Sequence, residues 1–263
     1  ISVTVGVAEA ACQELNEAFI YRVRHQKPFG ILKYAMTLDG KIATSTGRSY
    51  WITSASARRE VHCLRAGCDA IVTGGNTVRH DNPHLTTHGI TEHSPLRVVM
   101  SRSLNLPTEA NLWHVSDIQR TLVITQADHN QNVADHLRDR GVEVLTLPEL
   151  SPDRVMTVLG DRGCNAVLWE CGGVLAASAI AADAVQKVYA FIAPKLIGGF
   201  DAPSPVGALG SRRGSPTTAL DRRIRRAETA RATPRAHRVH RRLRTRRRER
   251  TTRRTLPCRL RHR

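Results

Sequence analysis

The hydrophobic and polar positions of the chain alternate between two periods from about residue 31 to about residue 192. Short apolar runs bounded by turn residues are typical of buried strands, and apolar residues three or four positions apart are typical of helices. The predicted strands cover residues 31–36, 69–74, 96–100, 121–125, 142–145, 166–170 and 186–192, and the predicted helices cover residues 54–67, 133–140, 152–160 and 174–182. This alternation predicts an α/β domain with a mostly parallel sheet flanked by helices.

The beginning of the chain shows a different pattern from this repeating unit. Residues 1–5 are predicted to form a short strand, and the helix after it carries Leu15, Ala18, Phe19 and Val23 at helical spacing. A linker with one proline and one glycine then leads into the first apolar run of the α/β pattern. A chain that opens abruptly on a strand is expected to be a piece of a longer protein.

All of the net charge of +17 comes from the last fifth of the sequence. Residues 211–263 contain 21 arginines, no lysine and three acidic residues, whereas residues 1–210 contain 19 basic and 20 acidic residues. The tail also lacks Phe, Tyr and Trp, so it cannot bury enough apolar surface to offset the entropy of ordering. We therefore predict a near-neutral folded body followed by a disordered, Arg-rich tail.

Two classes of protein and one class of site are excluded by simple patterns. No run of 18 apolar residues is present, which excludes a transmembrane helix, and the first residues lack the basic and apolar regions of a signal peptide. A cytoplasmic location is the resulting prediction. The six cysteines form no C-x-x-C pair, and neither H-x-E nor P-C-x-x-C accompanies them, so no metal site is predicted.

A pair of glycines at the end of one predicted strand is the first candidate for ligand binding. Gly172 and Gly173 follow the strand at residues 166–170 and open the next helix. A helix N-terminus presents unpaired N–H groups and a positive dipole end, which suits a phosphate. The pattern is not G-x-G-x-x-G, and a simple tight turn is an equally good interpretation.

Two polar segments offer further candidates at the ends of predicted strands. The loop over residues 73–88 carries Asp81, Thr77 and Thr86, and open α/β sheets place ligands at such loops, although a solvated loop fits the composition equally well. The segment over residues 37–53 starts with a predicted Asp-Gly hairpin turn and contains Trp51, which either stacks on a flat ring or belongs to the core.

Five motifs follow one another in an order that is more specific than any of them alone. They read K-Y-A-M-T-L-D-G-K-I-A, S-x-W-I-T, T-G-G-N-T-V-x-x-D-N-P-x-L-T, W-E-C-G-G-x-L and A-P-K-L-I-G-G. The series resembles the reductase half of the bifunctional riboflavin-biosynthesis deaminase/reductase family over residues 1 to about 208. The resemblance implies a dihydrofolate-reductase-like fold and the NADPH-dependent reduction of 5-amino-6-(5-phosphoribosylamino)uracil to the ribitylamino compound.

The same resemblance implies roles for individual residues. Cofactor contacts are expected at Ala35, Trp51, Thr77, Asp81, Gly172, Gly173, Val174, Leu175, Ala176, Ala177 and Ser178. Substrate contacts are expected at Ser49, Arg65, Leu85, His88 and Glu170, with Arg65 pairing with the substrate phosphate. Asp81 and Glu170 are the candidates for a catalytic proton donor.

Several departures from the family pattern carry expectations of their own. His88 stands where the family commonly has an arginine for the substrate phosphate, so phosphate binding is expected to be weaker or arranged differently. Ser101 and Arg102 replace a frequent D-S pair, which puts that cofactor contact in question. The zinc motifs of the deaminase domain are absent, so no deaminase activity is expected.

The ends of the resemblance define the predicted domains. Residues 1–28 are interpreted as the remnant of a preceding deaminase domain and linker, residues 29–208 as the reductase domain, and residues 209–263 as the tail. We interpret the tail as the product of a frameshift from about Leu209 onward. The family implies a homodimer whose final strands complete the sheet, and their loss would leave an unpaired sheet edge.

Three alternatives remain open at this point. The Arg-rich tail would bind nucleic acids through charge alone, with a steep salt dependence and without a recognisable motif, so no specific nucleic-acid partner is expected. A chain that has lost its final strands could also be a non-functional fragment. A related reductase acting on another pyrimidine or a pterin is a further alternative.

Overall fold

The computed structural model of the chain describes residues 1–49 and 52–208. Its strands β1 to β7 span Phe29–Thr37, Ala70–Gly74, Leu96–Met100, Thr121–Gln126, Glu143–Leu147, Ala166–Trp169 and Lys187–Ala193. Its helices α1 to α7 span Glu9–Leu15, Glu17–His25, Ala55–Ala66, Gly75–Asp81, Gln131–Asp139, Pro152–Asp161 and Gly173–Ala181, and a short 3₁₀ helix spans Asn111–Trp113. Trp51 and the Arg-rich tail lie outside the described residues, so the predictions made for them stay predictions.

The seven strands form one sheet in the order β5-β4-β3-β2-β6-β1-β7, and every neighbouring pair is parallel. The prediction of an α/β fold on a mostly parallel sheet is therefore confirmed. Strand β6 is inserted between β2 and β1, with Leu32 of β1 level with Trp169 at the end of β6. This insertion brings together the carboxyl ends of three strands that are far apart in sequence.

Alternate residues of the central strands face two separate hydrophobic layers, as the pleat of a sheet requires. Ile71 and Leu168 belong to the first layer, whereas Val72 and Trp169 belong to the second. The first layer is completed by residues of α3, α4 and α5, and the second by residues of α6 and α7. Because both faces are covered, the strands are apolar on both sides, which explains the continuous apolar runs of the sequence.

Local capping interactions set several of the helix boundaries that the sequence predicts. The Ser54 side chain accepts a hydrogen bond from the Ala57 N–H, which identifies Ser54 as the N-cap of α3. Asn130 and Ser151 cap α5 and α6 in the same way. Gly141 follows α5 with a φ of 78°, the left-handed conformation expected of a glycine at this position.

The predictions for the first residues and for one loop are wrong. Residues 1–5 form no strand, because they are exposed and no neighbouring strand pairs with them. The single predicted helix is interrupted at Asn16, whose side-chain amide donates to the Cys12 carbonyl. The predicted polar loop over residues 73–88 begins instead with helix α4, because burial of Val78 against the first layer stabilises a short helix there.

Polar contacts hold helix α2 against the residues that precede β6. The Arg22 guanidinium donates to the Gly163 carbonyl at 3.2 Å and to the Asn165 side-chain oxygen at 3.1 Å, and the Tyr21 ring packs edge-on against Phe29.

Among the described residues no helix is long and apolar enough to cross a membrane.

Candidate active site

The candidate site lies at the carboxyl edge of the three central strands β2, β6 and β1. Glu170 follows β6 directly. Lys33 of β1 follows Leu32, the last β1 residue that pairs with β6. Helix α4 and the loop after it follow β2, and helix α7 follows β6. Open parallel sheets bind ligands at this edge because the loops there converge on one crevice.

A compact charged cluster forms the floor of the site. The Arg65 Nε and Nη2 atoms donate to the two carboxylate oxygens of Glu170 at 2.9 and 2.8 Å, and the Lys33 Nζ donates to Oε1 at 3.0 Å. The side chains of Arg65, Glu170 and Lys33 are only 9, 14 and 15% exposed. Removal from water would destabilise any one of these charges alone, so the three depend on one another.

The charge state of Glu170 follows from this arrangement. Burial by itself would raise the pKa of the Glu170 carboxyl, but Lys33 and Arg65 outweigh burial and hold the pKa well below its usual range. The carboxylate is therefore an ionised hydrogen-bond acceptor rather than a group that holds a proton. Burial, together with the Glu170 charge, raises the pKa of the adjacent Cys171 thiol to about 12, so this thiol is protonated at neutral pH.

The loop after α4 is held against α3 in a strained conformation. The third donor group of Arg65, Nη1, bonds to the Thr86 carbonyl at 2.9 Å. Leu85 and His88 adopt φ values of 52° and 49°, which are uncommon for residues with a side chain and cluster at functional sites. The His88 ring lies over the His62 ring of α3, with 4.2 Å between ring centroids.

The two glycines before and within α7 meet different surroundings. A Cβ on Gly172 would have no atom within 4 Å, whereas a Cβ on Gly173 would lie 2.7 Å from the Ser204 carbonyl oxygen. The Gly207 N–H also donates to the Gly173 carbonyl at 2.9 Å. Gly173 is thus required by the close approach of the chain's own backbone, and only Gly172 faces open space.

The rest of the predicted cofactor segment splits between the two sides of α7. Ala176 and Ala177 are buried in the fold, whereas Val174 is 79% exposed. Leu175 is half-buried and packs against Gly74 at the end of β2. The exposed Ser178 donates its hydroxyl back to the Val174 carbonyl at 3.1 Å.

The predicted residues of α4 lie at the same edge of the sheet. Thr77 is half-buried in the middle of α4, and Asp81 is its last residue and exposed overall. Desolvation by the surrounding protein atoms raises the pKa of the Asp81 carboxyl, and His80 opposes this shift. Asp81 is therefore better suited than Glu170 to hold a proton.

Ala35 and Ser49 are the remaining predicted site residues. Ala35 is half-buried on β1, two positions beyond Lys33 and therefore on the same side of the strand. Ser49 is exposed. The contacts that the structure records join Arg65 to Glu170 and His88 to His62; they join neither Ser49 nor Thr77 to this cluster.

Three residues of this region were missed by sequence reasoning. Lys33 and His62 lie inside apolar patterns. A polar residue at a position predicted to be buried was the signal that could have identified them. Asp39 was interpreted only as a turn residue, but its carboxylate accepts from the Gly198 N–H at 2.7 Å and from the Ile197 N–H at 3.2 Å. Hydrogen bonds from Thr37, Gly198 and Ile197 lower the pKa of Asp39 to about 2, so this carboxylate ties the end of β1 to the loop after β7.

The comparison with known families agrees with this architecture. The RibD C-terminal domain family matches residues 28–236 of the chain. The match extends past residue 208 into residues outside the described part of the chain, and the frameshift stays a prediction. Among solved structures, the deaminase/5-amino-6-(5-phosphoribosylamino)uracil reductase of Thermotoga maritima is similar with a TM-score of 0.67 and 29% identity, over 81% of this chain and 57% of that chain.

Curated proteins give the same result at higher sequence identity. The riboflavin biosynthesis protein RibD of Synechocystis sp. is 60% identical over 210 residues, which are 80% of this chain and 57% of that protein. The chloroplastic riboflavin biosynthesis protein PYRR of Zea mays is 52% identical over 200 residues, which are 76% of this chain and 32% of that protein. The matched part of the chain thus spans 57% of the first relative and 32% of the second. With its dihydrofolate-reductase-like sheet and its five ordered motifs, the chain belongs to the RibD C-terminal domain family.

Proposed function

We propose that the chain catalyses the NADPH-dependent reduction of 5-amino-6-(5-phosphoribosylamino)uracil to its ribitylamino product. The observation that carries this proposal is the position of Gly172, the N-cap of α7, which faces open space two residues after the buried Glu170 carboxylate. One short segment, residues 170–173, thereby offers donors for an anionic cofactor and a fixed acceptor for a polar substrate. The family and the 60% identical riboflavin biosynthesis relative support the same reaction.

The residues around α7 fit a dinucleotide phosphate. The first N–H groups of the nine-residue α7 have no partner within the helix, and Gly172 has open space where a side chain would otherwise lie. We propose that Gly172 to Ser178 hold the cofactor phosphates through these backbone groups, since Ala176 and Ala177 are buried. Ala35, Trp51, Thr77 and Asp81 are the proposed contacts of the nicotinamide end.

NADPH, when bound, would supply a hydride to the sugar C1 of the ring-opened substrate. The ionised Glu170 accepts hydrogen bonds from the polar pyrimidine or sugar groups, and Lys33 and Arg65 keep it ionised and fixed in direction. Reduction of a C=N bond consumes one proton as well as one hydride. Asp81, whose carboxyl has a raised pKa, is the residue that we assign to deliver this proton.

Removing the proposed proton donor tests the reaction directly. We expect Asp81→Asn to lower kcat for NADPH oxidation with this substrate by about 10²-fold or more, the usual contribution of general acid catalysis. Because only the protonated carboxyl can donate, wild-type kcat should fall as the pH rises through the pKa of Asp81, and the variant should lose this dependence. Turnover is followed by the nicotinamide absorbance. Glu149→Gln, which alters a carboxyl outside the site, is the control.

No NADPH oxidation by the folded wild-type chain would contradict the proposed function. An Asp81→Asn variant with unchanged kcat would contradict the proton-donor assignment while leaving the reductase proposal in place.

Gly172→Ala separates cofactor binding from folding. The φ of −73° at Gly172 suits alanine and no atom lies within 4 Å, so we expect stability to change by no more than about 0.5 kcal/mol. The added methyl group occupies the approach to the α7 N–H groups, and we expect it to weaken NADPH binding by about tenfold or more, roughly 1.4 kcal/mol. Titration calorimetry with NADPH measures the affinity, and thermal unfolding measures the stability.

Gly173→Ala is the matched comparison. Its Cβ would lie 2.7 Å from the Ser204 carbonyl oxygen, so it should lower the unfolding temperature, which Gly172→Ala should not. Unchanged NADPH affinity in Gly172→Ala would argue against the phosphate site at α7.

A further inference from the structure

The candidate site contains a pair of histidines to which the proposed reaction has not yet given a role. His62 lies on α3, one helical turn before Arg65, and His88 lies on the strained loop that Arg65 holds through Thr86. The two imidazole rings are 4.2 Å apart at their centroids and inclined by 39°. Two imidazoles this close repel each other when both carry a positive charge, unless an anion lies beside them.

His62 is also incompletely satisfied. Its Nδ1 atom is buried and has no hydrogen-bond partner among the described residues. Leaving a buried polar atom unpaired costs free energy, and such exceptions in native proteins call for an explanation.

The charges around the pair are arranged by the elements packed against it. Arg65 from α3 and Lys33 from β1 are positive, Glu170 after β6 is negative and bonded to both of them, and His84 lies in the same loop as His88, four positions earlier. Glu170 therefore neutralises part of the positive charge of Arg65 and Lys33, which would otherwise attract an anionic ligand. A dianion at this place would need further positive charge.

The ionisation of the two rings agrees with this geometry. Desolvation, and then the neighbouring His88 and Arg65, lower the pKa of His62 to about 4. Desolvation and Arg65 lower the pKa of His88 as well. His62 is thus neutral at pH 7 when no anion is bound, and the lowered pKa of His88 favours its neutral form; a bound anion would raise both pKa values.

We propose that His62 and His88 form a proton-linked receptor for the substrate phosphate, in which binding of the dianion draws protons from solvent onto the pair. This inference rests on the proposed function only for the identity of the phosphorylated ligand. His88 alone was expected to bind phosphate more weakly than an arginine. With His62 behind it, the site acquires its positive charge when the ligand arrives and loses it when the ligand leaves.

The pH dependence of binding has a definite sign. Protonation accompanies binding, so affinity falls as the pH rises through the pKa values that the histidines have in the complex, by up to about tenfold per pH unit for each proton taken up. The second pKa of a phosphate ester is about 6, and the ligand itself is therefore dianionic from pH 7 upward. Above pH 7 any proton that enters the complex goes to the protein.

Calorimetry with ribose 5-phosphate, in the absence of NADPH, tests the proposal. Titrations at pH 7.0 to 8.5 in pairs of buffers with different ionisation enthalpies give the number of protons taken up. We expect uptake of about one proton at pH 7.0 by the wild-type chain, and an affinity that declines with pH. His62→Gln and His88→Gln should each reduce the uptake and the affinity, whereas His93→Gln, an exposed histidine elsewhere, should change neither.

Replacing His88 by arginine, whose positive charge does not titrate in this pH range, gives the sharpest test. His88→Arg should bind ribose 5-phosphate with little proton uptake and with an affinity that no longer falls toward pH 8.5. In case the half-buried His62 does not tolerate substitution, NMR titration of the wild-type imidazoles should show the pKa values of both rings rise when ribose 5-phosphate is added.

The outcomes distinguish this inference from the reductase proposal. No binding, binding without proton uptake, or uptake unchanged in both glutamine variants would overturn the proposal, even if the chain oxidises NADPH with its substrate. Proton-linked binding in a chain that cannot oxidise NADPH would support the receptor and count against the reductase.

Discussion

Arg65→Ala is expected to lower the free energy of unfolding by about 3–5 kcal/mol, because it leaves the Glu170 carboxylate buried with Lys33 as its remaining partner. The variant also frees the Thr86 carbonyl, which Arg65 holds at 2.9 Å, and with it the loop that carries His88. Chemical denaturation gives the change in stability. Loss of substrate binding should accompany it, since the loop and the carboxylate both change position.

Arg162→Ala is the matched control for this experiment. Arg162 pairs with Glu143 through two bonds as Arg65 pairs with Glu170, but the two side chains are 33 and 53% exposed. Exposed pairs contribute about 0–1 kcal/mol, so this variant should be nearly neutral. Equal effects of the two substitutions would show that burial of the Glu170 cluster does not matter.

The stability difference caused by Arg65→Ala also has a predicted pH dependence. The folded-state pKa of Glu170 is depressed, so its contribution is fully present above the ordinary glutamate pKa and is lost as the pH falls toward the folded-state value. The gap between wild type and variant should therefore narrow in acid. A gap that widened below pH 4 would contradict the assigned charge state.

Gly30→Ala is expected to destabilise the fold by about 3 kcal/mol or more, since it places a Cβ 1.9 Å from the Ala184 carbonyl oxygen. Gly30 lies in β1, and its N–H and carbonyl bond to the side chain and the N–H of Gln186 at 2.7 and 2.8 Å. The clash involves backbone on both sides, so relief requires β1 and the turn before β7 to separate. Thermal and urea unfolding measure the loss.

Gly67→Ala, at the C-terminal end of α3, serves as the comparison. Gly67 has a φ of −89°, and its added Cβ would meet carbonyl oxygens no closer than 3.6 Å, which is ordinary contact. Its effect should remain within about 0.5 kcal/mol. If Gly30→Ala were equally mild, the close approach between β1 and Ala184 could not be the reason for glycine at this position.

The positions of the strands and of most helices could be predicted because their signals are local. The predicted strand at residues 96–100 has the same bounds in the structure, and the helix predicted for residues 54–67 begins where Ser54 caps it. Apolar periodicity and capping depend on neighbours within a few positions of the chain. Where partners were needed, the prediction was wrong: residues 1–5 have an apolar alternation but no adjacent strand.

The site was predicted as a set of residues but not as an arrangement. The motifs indicated Arg65 and Glu170 as separate substrate contacts. In the structure both belong to one charged cluster, in which Glu170 bonds to Arg65 and to Lys33. The two glycines were interpreted as one phosphate-binding feature, but Gly173 is required by the backbone of residues 204–207. The roles given to the site residues stay proposals.

The sequence by itself determined the α/β alternation, the family and the segments that carry the site, because these follow from periodicity and from motifs in a fixed order. Only the tertiary structure decided that β6 lies between β2 and β1, which brings Glu170 beside Lys33 and within reach of Arg65. It likewise placed His62 against His88. Charges separated by up to 137 positions in the chain interact only after the sheet has ordered its strands, and no local pattern records that order.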